Sequence, residues 1–217
     1  PARVAPPRAS PPPDTLWPMA RPSDPFPALG LALAIAVAIS AIAPYDPKDY
    51  AIEIAVPVAG FGALLATRGR FRFTPLSYTM LLCESMLLVV GAHYTHERVP
   101  LFDWIRDNIG GARNHYDRFA HFSVGLLLVI PFREVLHRKT ALRGGWLNGL
   151  AATGVLAFAG FYEITEWWIA VLASPDTAEA YLGSQGDPWD AQKDMLMDTL
   201  GALSGLALLT RRHDRAL

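Results

Sequence analysis

The sequence predicts an all-α, polytopic membrane bundle of about six transmembrane helices behind a disordered, proline-rich N-terminal tail. Two observations carry that expectation. The 217-residue chain is 52% hydrophobic with only 18% charged side chains, where soluble domains carry about 25% charged residues. Its apolar residues also come in long blocks separated by short charged connectors, which is how membrane spans are written.

Residues 1–27 hold ten of the eighteen prolines. Proline removes a backbone donor and breaks helix, so this segment reads as a disordered or polyproline-like tail. Residues 28–215 read as the membrane domain. Six spans follow, at 28–43, 50–66, 75–92, 117–136, 145–172 and 190–210. A hydrocarbon core of ~30 Å needs about 20 helical residues, so the first two are short and the fifth is long enough to tilt. Backbone polar groups must be satisfied within the bilayer, which makes each run a helix. Ala41-Ile42-Ala43 mimics a signal-peptide cleavage site, but Pro44 disfavours cleavage there, so the first span reads as an anchor.

Lysine and arginine set the expected orientation. Arg3, Arg8, Arg21, Arg68, Arg70, Arg72, Arg138, Lys139, Arg143, Arg211, Arg212 and Arg215 fall on one side; Lys48, Arg98, Arg106 and Arg113 fall on the other. Both termini are therefore expected in the cytoplasm, with the connectors 93–116 and 173–189 facing outward. A net charge of -1 gives no reason to expect nucleic acid as a partner. The one cysteine, Cys83, excludes an intramolecular disulfide framework and a thiolate cluster, and reads as a buried inert thiol. No P-loop, dinucleotide fingerprint or serine-nucleophile motif occurs.

Four polar clusters interrupt the apolar chain, and the expected topology puts all of them on the outer side. They are His93 to His96; Asn114-His115-Tyr116-Asp117-Arg118 with His121; Glu163 and Glu166; and Gln185 to Asp190 continuing through Lys193, Asp194 and Asp198. Residues three or four apart share a helix face. Asp117 and His121 are so spaced, as are Glu163 and Glu166, and Asp190, Asp194 and Asp198. At ~1.5 Å per residue Asp198 lies about 12 Å below Asp190, inside the hydrocarbon. A carboxylate there costs at least ~2.5 kcal/mol, so it must face protein or a wet cavity. Glu84 is a similar case. Trp167, Trp168 and Trp189 read as interfacial anchors, His137 and His213 as cytoplasmic surface residues, and Gly201 and Gly205 as a close-packing pair.

Carboxylates and imidazoles without thiolates suit a divalent cation such as Zn, Mn, Fe or Mg. His121, Glu163, Glu166, Asp194 and Asp198 are the expected ligands. His93, His96, Asn114, His115, Asp117, Arg118, Gln185, Asp187 and Asp190 are expected to support them or to meet a substrate. The helical di-iron pattern is matched only in part, since Glu163-x-x-Glu166 stands where Glu-x-x-His would. Three functions fit: a metal-supported site that binds or acts on a lipid or envelope substrate, a proton-coupled transporter whose acids form a relay, and a non-catalytic membrane partner subunit or homo-oligomer. The residues alone decide neither for nor against an enzyme.

Gly91-Ala92-His93-Tyr94-Thr95, Asn114 through Phe122, Glu163-x-x-Glu166-Trp167-Trp168 and Gly183 through Asp190 together resemble the YjdF-type family of bacterial inner-membrane proteins. The resemblance covers about residues 28–215 and implies an inner-membrane, multi-pass location without a mechanism. More distantly, Asp117-Arg118-x-x-His121-Phe122 with Asp194-x-x-x-Asp198-Thr199-x-Gly201 is similar to the VanZ-like group, except that arginine and aspartate replace that pattern's lysine and asparagine.

Overall fold

A computed structural model describes residues 24–172, 182 and 184–217 of the chain. The tail up to residue 23, most of the connector 173–189 and Gly183 lie outside the described residues. The helices are α1 (Phe26–Ser40), α2 (Pro47–Glu53), α3 (Ala55–Thr67), α4 (Pro75–Tyr94), α5 (Pro100–Ile109), α6 (Tyr116–Lys139), α7 (Gly144–Leu172) and α8 (Asp190–Asp214). The chain is thus an all-α membrane bundle, and no strand occurs among the described residues. Among the described residues, four helices are long and apolar enough to cross a membrane: Pro47–Thr67, Pro75–Tyr94, Tyr116–Lys139 and Gly144–Leu172. The first expected span, α1, is apolar but shorter, at 15 residues. The sixth, α8, has 25 residues and carries Asp190, Lys193, Asp194 and Asp198 in its first three turns and Arg211, Arg212 and Asp214 in its last.

Local chemistry explains the boundaries. Asp46 caps α2 by accepting from the backbone N–H groups of Lys48 and Asp49, with Pro47 in the first turn. α2 and α3 form one rod interrupted at Ile54. Pro57 lies four residues after Glu53 and has no N–H for the Glu53 carbonyl, so the helix loosens there. Thr74 caps α4 ahead of Pro75.

The connector 93–116 is not the simple loop the sequence suggests. Pro100 starts a short amphipathic helix, α5, whose Leu101, Trp104 and Ile109 are exposed. Ten residues are too few to span, so this helix has the character of an interfacial segment.

α6 and α8 form the centre of the bundle. Their backbones touch at glycines: a Cβ on Gly125 would lie 1.9 Å from the Asp198 carbonyl oxygen, and one on Gly201 2.0 Å from the Phe122 carbonyl oxygen. Gly205 similarly faces the Leu126 carbonyl. The Gly201/Gly205 pair therefore does pack helix on helix. Below it, Met80, Val129, Ile130, Ala151, Val155 and Ala202 make the apolar core.

Two expectations are corrected. Cys83 is exposed rather than buried, because a membrane helix turns apolar positions toward lipid as readily as toward protein. His213 is fully buried rather than a surface residue. It sits 2.8 Å from Arg133 and 3.6 Å from Glu134, in a network that ties the α8 end to α6. Glu134 also accepts from Ser77 Oγ (2.6 Å), Thr74 Oγ1 (2.8 Å) and the Thr74 N–H (2.9 Å), which anchors the start of α4. Arg133 reaches Asn148 Oδ1 on α7 at 2.8 Å. α4, α6, α7 and α8 are thus pinned together at the end opposite the four polar clusters.

Candidate functional site

The close approach of α6 and α8 positions the central pair. His121 Nδ1 lies 2.9 Å from Asp198 Oδ2. The other ring nitrogen, Nε2, lies 3.8 Å from both Asp117 Oδ1 and Glu163 Oε1. Asp198 is fully buried, and its Oδ1 has no hydrogen-bond partner; neither does Glu163 Oε1. Asp117, His121 and Asp194 each offer a ligand atom, all within 4.8 Å of one another. Such a set can hold a cation: the imidazole is oriented through Nδ1 by a carboxylate and leaves Nε2 free to coordinate.

The acids nearest the surface have cations of their own. Arg118 pairs with Asp194 and Asp190 and reaches Asp187 Oδ2 at 3.1 Å. Arg113 lies 2.9 Å from Asp190 Oδ1 and 3.6 Å from Asp117 Oδ2. Lys193 binds Asp187 Oδ2 at 2.6 Å. That hydrogen bond, with the Trp189 backbone N–H, holds the Asp187 carboxyl below its usual range. Asn114 and Gln185 clasp the loop, the Asn114 N–H donating to Gln185 Oε1 and Gln185 Nε2 to the Asn114 carbonyl, both at 2.9 Å.

A cavity of about 510 Å³ opens beside this cluster. Asp117, His121, Glu166 and Asp198 line its polar end together with Glu53, Glu84 and His96. The rest of its wall is mostly apolar and comes from α1, α3, α4, α6 and α7. Glu84 is buried and accepts from Ser123 Oγ at 2.9 Å, while its Oε1 has no partner. His96 Nδ1 is 3.5 Å from Glu53 Oε1. Burial alone would lower the His96 pKa, but the charge and hydrogen bond of Glu53 raise it to about 9.

The expected residues thus divide into groups. Asp117, His121, Glu163, Asp194 and Asp198 converge; Glu166 and His96 face the same cavity; Arg118, Asp187, Asp190, Asn114 and Gln185 form the clasp beside it. His93 lies apart, with Nδ1 2.8 Å from the Ser40 carbonyl of α1, and His115 is exposed. Trp167, Trp168 and Trp189 are exposed near this end. Sequence reasoning missed Asp49 and Glu53, both buried, with Asp49 Oδ1 and Glu53 Oε2 unpartnered. The signal was present: two acids four apart in an apolar block, the spacing used for Asp117 and His121.

Comparisons with known proteins agree with a membrane protein. No solved structure matches the chain. "Inner membrane protein YjdF" of Escherichia coli (strain K12) is 36% identical over 188 residues, covering 86% of this chain and 90% of that protein. Nothing in these matches bears on the VanZ-like resemblance. Residues 27–215 match the family described as "Predicted membrane protein (DUF2238)", and the chain belongs to that family.

Proposed function

We propose that the polar end of the bundle faces outward across the inner membrane, holds a divalent cation at His121, and uses it to bind or act on a lipid or envelope substrate. The observation that carries this reading is the environment of His121 Nε2, which has Asp117 and Glu163 oxygens both at 3.8 Å. A metal binds nitrogen and carboxylate oxygen at about 2.0–2.2 Å, so an ion between such atoms meets each with little movement. Charge supports it too. Asp117, Glu163, Glu166, Asp194 and Asp198 gather where Arg113 and Arg118 are the nearby arginines, and a cation offsets the remaining negative charge. Asp117, Glu163 and Asp194 are the carboxylates best placed to share the ion with His121. Asp198 orients the imidazole, and Glu166 stands on the cavity side. A set of N and O donors suits Zn, Mn, Fe or Mg.

The proton-relay reading needs a polar route toward the opposite end. There the Glu134–Arg133–His213 network pins the helices around the core of Met80, Val129 and Ile130. Metal analysis of detergent-purified protein tests the proposal. The wild type should hold about one divalent ion, and His121→Ala and Glu163→Gln should each lose it. Occupancy should fall with pH as the ligands take up protons. A wild type without stoichiometric metal, and without stabilisation by added Mg, Mn, Fe or Zn, overturns it.

A further inference from the structure

The cavity beside His121 is far larger than an ion requires, and its shape names a second ligand. We propose that it seats one hydrocarbon chain of a phosphate-headed lipid from the outer leaflet, with the phosphate reaching the cation at His121. The inference rests on the cation reading above and adds the substrate class.

Depth is the first argument. On α6 the wall runs from Asp117 at the polar end to Leu128, and on the α2–α3 rod from Glu53 to Leu64. Both stretches cover eleven residue steps, or ~16 Å at 1.5 Å per residue. On α1 and α4 the wall continues to Phe26 and Tyr78, so the seat is at least as deep as one leaflet of a ~30 Å hydrocarbon core. A volume of about 510 Å³ falls within the range of sites for molecules of lipid-chain size.

Access is the second argument. The substantial packing of α3 is with α2 and α4, while α7 packs on α6 and α8. The bundle is therefore loosely closed between α3 and α7, and a chain enters sideways from the membrane without crossing a polar surface.

Charge selects the headgroup. Carboxylates of Glu53, Glu84, Asp117, Glu166 and Asp198 line the polar end, so an anionic phosphate is repelled from it until a cation sits at His121. Cation and phosphate-headed lipid should then bind in sequence, each favouring the other.

The test uses delipidated full-length protein, lysophosphatidic acid as a single-chain probe, and Mn²⁺, with bound lipid read by native mass spectrometry and Mn²⁺ by metal analysis. Wild type should take up one lipid, at least tenfold more tightly with Mn²⁺ than without. Leu128→Trp and Leu64→Trp fill the chain seat from two different helices, far from His121. Each should weaken lipid binding at least tenfold while Mn²⁺ binding persists, and that persistence also reports an intact fold. Wild-type lipid binding in either variant that retains Mn²⁺, or lipid binding independent of Mn²⁺, overturns the chain seat and leaves the cation reading standing. A change of oligomeric mass in place of lipid loss would show a helix of a second copy in the cavity, and also overturns it. His121→Ala should lose both ligands; loss of neither refutes the cation reading itself.

Discussion

The contact between α6 and α8 can be tested with one methyl group. Gly125→Ala would place a Cβ 1.9 Å from the Asp198 carbonyl oxygen, 2.7 Å from its carbonyl carbon and 2.8 Å from the Ala202 nitrogen. These are backbone atoms of a helix, so no side-chain rotation relieves the clash. Carbon and carbonyl oxygen normally approach to about 3.3–3.6 Å, so the helices must part locally by about 1.5 Å. The His121–Asp198 hydrogen bond, now 2.9 Å, would stretch well past the ~3.2 Å limit of a good bond. Overpacking of this kind costs about 1–3 kcal/mol, and a clash with backbone belongs at the upper end. For a chain of this size that lowers Tm by roughly 5–10 °C. Gly149→Ala is the control, because a Cβ there meets nothing within 4 Å. It should be neutral or gain up to ~1 kcal/mol from helix propensity. Thermal unfolding in detergent, with and without Mn²⁺, gives the answer. Gly125→Ala should melt lower and respond less to the ion. A variant with wild-type Tm and wild-type Mn²⁺ stabilisation would refute both the close packing and its role in holding His121.

Two further outcomes follow from the same geometry. The orientation predicts that a cysteine at Ser184, in a Cys83→Ala background, reacts with an impermeant reagent in intact spheroplasts; labelling only after lysis would turn the site inward. His96, raised to about 9 from the usual 6.5 mainly by Glu53 acting against burial, contributes stability that is fully present below about pH 6.5 and lost as pH rises through 9. Wild type should therefore lose on the order of 2–3 kcal/mol between those limits, visible as falling Tm. Glu53→Gln should flatten that slope, and an unchanged slope would show that the pair does not act this way.

Much of this arrangement is legible in the sequence, for a definite reason. Apolar block length fixes helices well: the third expected span, 75–92, is α4 at Pro75–Tyr94, and the fifth, 145–172, is α7 at Gly144–Leu172. Periodicity then shows that Asp117 shares a face with His121, and Asp194 with Asp198. It does not give the rotation of one helix about its axis relative to another. Hence Asp198 reads as a ligand equal to Glu163, although the packing at Gly125 and Gly201 aims it at His121 Nδ1. Rotation also hides the burial of His213 and the exposure of Cys83. The amphipathic α5 escaped because a ten-residue helix rich in charge looks like a connector when only spans are sought.

The two ends of the bundle bury acids in different ways, and the contrast supports reading one as scaffold and the other as site. At one end Glu134 is fully buried and receives the Thr74 N–H, the Thr74 and Ser77 hydroxyls and the Arg138 guanidinium. There the chain supplies donors to match a buried acid that ties helices together. At the other end Glu53 Oε2, Glu84 Oε1, Glu163 Oε1 and Asp198 Oδ1 are buried without a hydrogen-bond partner. Each such oxygen costs about 1–3 kcal/mol, and the same chain shows that it can avoid the cost where structure is the only purpose. Three of these acceptors, on Glu53, Glu84 and Asp198, line one cavity, a pattern that supports the proposed ligand site. A scaffold role for the polar cluster predicts the opposite pattern, with each carboxylate satisfied as Glu134 is.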